Sequence, residues 1–175
     1  MPIRFPSPPE AAPAGEGALP PQPVYTVGLD ELGATGMAEE SATAAPSWRV
    51  SRFDAAGRSE VVELSPGAAA APVSAGDDRF GPLIREALAV AGQDERVTDG
   101  DYEARLYRVP ALTLLALWLH SPGSVDLFVP VGPAPPGLER NRLYEDPDFT
   151  AAVNEAAAGL REAYDAAENA DELGS

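Results

Sequence analysis

The chain predicts an α+β fold: an antiparallel sheet of about five strands with two helices on one face, ordered β-β-α-β-β-β-α. Three observations carry that expectation. Residues 48–64 and 99–131 alternate or run apolar over strand-length stretches. Residues 77–93 and 146–167 instead carry apolar stripes at helical spacing. Segment 1–23, "MPIRFPSPPEAAPAGEGALPPQP", is mostly Pro, Ala, Gly, Ser and Glu. Its apolar surface is too small to offset the entropy of ordering, so it is expected to be disordered. A single domain is expected over 24–167. Flexible loops are expected at 33–46 and 65–76, and an acidic frayed tail at 168–175.

The elements follow in order. "VYTVGLDEL" (24–32) suits a short strand or an arm lying on the domain. "WRVSRFDAAGRSEVVEL" (48–64) reads as a hairpin, with Gly57 free to take a positive φ in its turn. Trp48 and Val50 then share a face, opposed by Val62 and Leu64. "DDRFGPLIREALAVAGQ" (77–93) reads as a helix capped by Asp77 or Asp78, with Pro82 in its first turn and Gly92 at its end. Leu83, Ile84, Ala87, Leu88 and Ala91 form its stripe.

"DGDYEARLYRV" (99–109) alternates as a strand, and Pro110 breaks it. "ALTLLALWLH" (111–120) is apolar on both period-two faces, a pattern that a buried strand and a buried helix share. The turn "HSPGS" and the alternating "SVDLFVPV" favour two antiparallel strands, with Phe128 pointing out. After a Pro-rich connector (132–144), Asp146-Pro147 opens the last helix, whose stripe is Phe149, Val153, Ala156, Leu160, Tyr164 and Ala167. With both helices on one side, the second face of 112–119 needs another cover. The candidates are the N-terminal arm, the connector, or a second subunit in a homodimer or partner complex. Leu115, Leu117 and Leu119 are the interface candidates.

Charge narrows the function classes. All twelve cationic side chains are Arg, against 28 acids, for a net charge of −16. Such a chain repels phosphate backbones and anionic lipid, so neither nucleic acid nor a membrane surface is an expected partner. With no cysteine, thiol catalysis and thiolate metal sites are excluded. No apolar stretch is long enough to span a bilayer and no secretory signal is visible, so a cytoplasmic location is expected.

The chemistry-bearing residues are sparse. His120 is the lone imidazole; with no second His it makes a weak metal ligand, and no cofactor or metal is expected. Ser121 and Ser124 lie too close along one turn for a triad with it. In "DGDYE", Asp99, Asp101 and Glu103 alternate, but Ala104 and Pro110 occupy the positions where a calcium loop needs Gly and Glu. "PAPP" (133–136) has a common PxxP spacing. Arg105 and Arg108, with Tyr102, Tyr107, Trp118 and His120, are candidates to line a pocket for an anionic or aromatic ligand, although strand parity divides them.

"YRVPALTLLALWLH", "DLFVPVGPAPPGLE" and "DPDF" together resemble a group of uncharacterised proteins of GC-rich, actinobacterial-type bacteria, across roughly residues 48–165. The resemblance implies the fold and no activity or site residue. Two expectations of function follow. The first is a small soluble non-enzymatic adaptor or accessory component that binds protein. The alternative is a small-molecule-binding domain or enzyme with a pocket near His120, Arg108 and Trp118.

Overall fold

The computed structural model describes residues 3–10, 12, 17–33, 38, 42, 44–67 and 69–173. It is an α+β structure built on a mostly antiparallel, open sheet. The strands are β1 (Ile3–Arg4), β2 (Gln22–Thr26), β3 (Ser47–Phe53), β4 (Ser59–Leu64), β5 (Pro72–Asp77), β6 (Tyr102–Val109), β7 (Leu114–His120), β8 (Leu127–Pro130) and β9 (Tyr144–Glu145). The helices are α1 (Gly81–Ala91), the four-residue α2 (Glu95–Thr98) and α3 (Asp146–Leu173). Spatial order is β5-β4-β3-β2-β6-β7-β8-β9, with β1 beside β6. Among the described residues the sheet thus has nine strands, not about five, and there are three named α-helices, not two. β1 and β9 are two residues each, too short to show a period, and every residue of β5 is exposed, so no apolar alternation marks it.

Much of the local reading holds. The hairpin pairs Trp48 with Leu64 and Val50 with Val62, and Gly57 has φ +79°. Ile84, Ala87 and Ala91 are the buried stripe of α1. Asp78 caps that helix by accepting from the backbone N–H of Phe80 and Gly81, at 3.0 and 2.7 Å. A Cβ on Gly81 would stand 2.5 Å from the Asp78 carboxylate, so the cap requires glycine there. Residues 114–120 form a strand, and the chain bends ahead of it through a 3₁₀ turn (Pro110–Leu112) and a left-handed Thr113, φ 52°.

Of the two expectations for segment 24–32 the short strand holds: β2 runs parallel to β6 in the middle of the sheet, with Val24 opposite Leu106. Several expectations are corrected. Part of the segment expected to be disordered is in the sheet: β1 pairs with Tyr102 and Glu103, Ala18 bridges to Arg52, and β2 starts at Gln22. Backbone pairing supplies there what composition does not. Part of the expected loop 65–76 likewise becomes β5. The expected frayed tail is corrected as well, because residues 168–173 continue α3. Residues 1, 2, 11, 13–16, 34–37, 39–41, 43, 68, 174 and 175, on which other parts of the expected disorder, loops and fray fall, lie outside the described residues.

One further correction decides the architecture. The helices cover opposite faces. α1 and α2 pack on Ala104, Leu106, Leu115, Leu117, Leu119, Leu127 and Val129. α3 places Phe149, Val153 and Ala157 on Tyr107, Val109, Leu114, Ala116, Trp118 and Phe128. Phe128, expected in solvent, is fully buried and stacks on Phe149 with centroids 4.2 Å apart and planes 5° from parallel. Leu115, Leu117 and Leu119 are buried beneath α1 and offer no interface. Each large apolar side chain so buried contributes about 1.5–3 kcal/mol. Among the described residues, no helix is long and apolar enough to cross a membrane.

Candidate functional site

On the α3 face, Trp118 and His120 lie two residues apart along β7 and converge on one carboxylate. Asp126, buried at the foot of β8, accepts from Trp118 Nε1–H at 2.6 Å and from the Ser121 backbone N–H at 3.0 Å. His120 Nδ1 lies 3.0 Å from its Oδ2. The Asp126 carbonyl also accepts from the backbone N–H of Asp146 at 2.9 Å, tying the knot to the start of α3. The Arg105 guanidinium rests 4.9 Å from the Trp118 ring and 5.4 Å from that of Tyr25, and Glu103 pairs with it at 2.9 Å. Burial pushes the Tyr107 hydroxyl far above its ordinary range, helped by the negative charges of Asp146 and Glu31. This layer is closed by packing and hydrogen bonds, and its chemistry is that of a core.

The α1 face carries a different arrangement. Directly opposed residues of neighbouring strands share a face, so Gln22, Arg49 and Glu63 line up across β2, β3 and β4. Arg108 of β6 joins them, opposite Thr26 and Leu115. Arg79 and Phe80 come from the residues leading into α1. Arg49, Glu63, Arg79, Phe80 and Arg108 surround a cavity of about 230 Å³ whose remaining lining is Val24, Pro110, Thr113, Leu114 and Leu115. Three guanidinium groups therefore meet one apolar-walled hollow.

Its floor is a charged knot. Arg49, 7% exposed, pairs with the buried Asp78 and, at 3.3 Å, with Glu63. Arg108 reaches the same Glu63 oxygen at 3.2 Å and donates from Nε to Thr26 Oγ1 at 3.1 Å. The Arg79 guanidinium lies 4.8 Å from the Phe80 ring centroid. Behind this surface are buried polar atoms with no partner among the described residues: Arg49 Nε, Asp78 Oδ2, Ser51 Oγ and both amide atoms of Gln22. Leaving such atoms unpaired costs about 1–3 kcal/mol each. This concentration of unmet hydrogen-bonding capacity beside a cavity distinguishes the region from the rest of the interior.

The expected site residues are thus divided. His120 and Trp118 belong to the Asp126 knot, and Arg108 lies on the opposite face in the cavity. Tyr102 is on the α1 face and hydrogen-bonds the Val125 carbonyl, while Arg105 and Tyr107 belong to the aromatic layer. Asp101 and Glu103 of "DGDYE" are engaged by Arg4 and Arg105. Among the described residues, no group of three His, Cys, Asp or Glu is placed to hold a metal ion. Sequence reasoning missed Arg49, Arg79, Glu63 and Phe80. One signal was present: Arg49 and Arg108 share the strand faces of Val24 and Leu106, an apolar context in which a cation is unusual. No family model matches the chain, and no curated protein or solved structure matches it.

Proposed function

We propose that the protein binds a small organic anion in the cavity between Arg49, Arg79 and Arg108. One observation carries the reading: three of only twelve cationic side chains, in a chain of net charge −16, converge on a single apolar-walled hollow. Guanidinium groups match carboxylate and phosphate oxygens in pairs, and Val24, Phe80 and Leu115 suit an apolar body. Isothermal titration calorimetry with a panel of small carboxylates and phosphate esters tests it. Arg108→Met and Arg79→Met should each weaken binding by about tenfold or more. Equal affinity in wild type and both variants refutes the reading.

A second reading, protein binding by an adaptor, draws support from α3. Residues 162–170 of this helix are all exposed, with Tyr164 56% accessible, and they present Glu162, Asp165 and Glu168. A pull-down comparing wild type with Tyr164→Ala tests it: a stoichiometric partner retained equally by both would remove this face from consideration.

A further inference from the structure

We infer that the ligand is a small carboxylate with an apolar body, and that the Glu63 side chain occupies its anion position until the ligand displaces it. This rests on the anion-binding reading. Glu63 already shows which group fits between the guanidinium groups, because one carboxylate oxygen lies 3.3 Å from Arg49 Nη1 and 3.2 Å from Arg108 Nη1. Both contacts are longer than the roughly 2.7–2.9 Å of a strong charge-assisted hydrogen bond. Glu63 is therefore a loose internal counter-ion, which a better-placed carboxylate can outcompete.

Both cations stay aimed when it leaves. Arg49 remains tied through Nη2 to Asp78, and Arg108 through Nε to Thr26. Glu63 also has somewhere to go. It and Arg108 form part of the wall between the arginine cavity and a neighbouring one of about 400 Å³, lined by Thr26, Ser47, Leu64, Ser65 and Val73 among others. Swinging the side chain across that wall vacates the anion position and enlarges the first cavity without moving the backbone. The size of the first cavity, about 230 Å³, falls below the roughly 300–1,000 Å³ of sites for drug-sized ligands, so the ligand is small. The apolar share of the wall, Val24, Phe80, Pro110 and Leu115, gives a hydrocarbon body something to cover.

The test titrates the full chain, at fixed ionic strength, with phenylacetate, hexanoate, acetate and inorganic phosphate, in wild type, Glu63→Gln and Arg108→Met. Phenylacetate and hexanoate are expected to bind at least about tenfold more tightly than acetate, from burial of the apolar body. Glu63→Gln should bind them about fivefold more tightly than wild type, because a neutral amide competes poorly for two cations. Arg108→Met should lose binding. A wild-type measurement independent of the variants' folding is the arginine Nε–H resonances by NMR, where saturating phenylacetate should shift those of both Arg49 and Arg108. Weaker or equal binding by a folded Glu63→Gln overturns the displacement and leaves the anion reading standing. Phosphate bound more tightly than either apolar carboxylate overturns the ligand class, again sparing the anion reading. No binding of any of the four probes, with unshifted resonances, overturns both.

Discussion

Two buried carboxylates, Asp126 and Asp78, sit on opposite faces of the same sheet, and they are held differently. Asp126 receives the Trp118 indole, the Ser121 backbone N–H and the His120 ring, so both its oxygens are engaged. Asp78 receives Arg49 and the two N–H groups at the start of α1 through one oxygen, and the other has no partner among the described residues. On the same face Gln22, Ser51 and Arg49 also keep atoms with no partner among the described residues. A satisfied polar knot fixes packing, as the knot on the α3 face does. An unsatisfied one beside a cavity keeps capacity for something else. On this comparison the lone histidine, the obvious chemical candidate in the sequence, belongs to the structural side.

The largest test of the contrast is Arg49→Met. It leaves Asp78 charged and buried without its cation, and is expected to cost about 3–5 kcal/mol in urea unfolding. A cost below about 1 kcal/mol would mean that Asp78 does not depend on Arg49. Asp126→Ala removes the shared acceptor of Trp118 and Ser121 and should cost about 2–3 kcal/mol by the same assay.

Tyr107 sharpens the comparison, because its hydroxyl is unpaired among the described residues yet lies in the closed aromatic layer. Burial raises its folded pKa above the ordinary 10.0, so the folded state favours the neutral phenol. That contribution is complete below pH 10 and is lost as pH climbs from there toward the raised folded value, at about 1.4 kcal/mol per pH unit. Tyr107→Phe should flatten this part of the alkaline limb in unfolding curves recorded from pH 9 to 11. An identical limb in both proteins would count against ionisation of Tyr107 as its cause.

Gln22→Leu is the smallest expected effect and has the opposite sign. Replacing a fully buried amide that finds no partner among the described residues by an apolar side chain should leave stability within about 1 kcal/mol of wild type, or raise it. A loss above about 2 kcal/mol would show that the amide is hydrogen-bonded and that this side of the sheet is as satisfied as the other.

Local signals made part of this fold legible. Gly57 between two β-rich flanks is a turn with a mechanism, and the Ile84–Ala87–Ala91 spacing is a buried helical stripe. What failed was non-local. A parity rule states that Phe128 and Leu127 point opposite ways, and it cannot state which side is wet. Trp118, Tyr107 and Phe128 on one parity and Phe149 in the last helix, taken together, would have indicated a second covered face. The arginine cavity was hidden for the same reason. Arg49, Arg79 and Arg108 are about thirty residues apart in sequence, and in a chain whose every cation is Arg their residue type drew no attention. Only the pairing of β2 with both β3 and β6 brings two of them to one face.

The placement of α3 has a consequence for how the chain matures during synthesis. Most of what α1 covers has been made once β8 is complete, since its partners lie in strands from β1 to β8. The aromatic layer must wait, because twenty residues separate Phe128 from Phe149. A nascent chain stopped in that interval bears Tyr107, Trp118 and Phe128 without their lid, an adhesive surface of the kind chaperones shield. The two faces of one sheet thus close at different moments, and the later one exposes the more hazardous side chains.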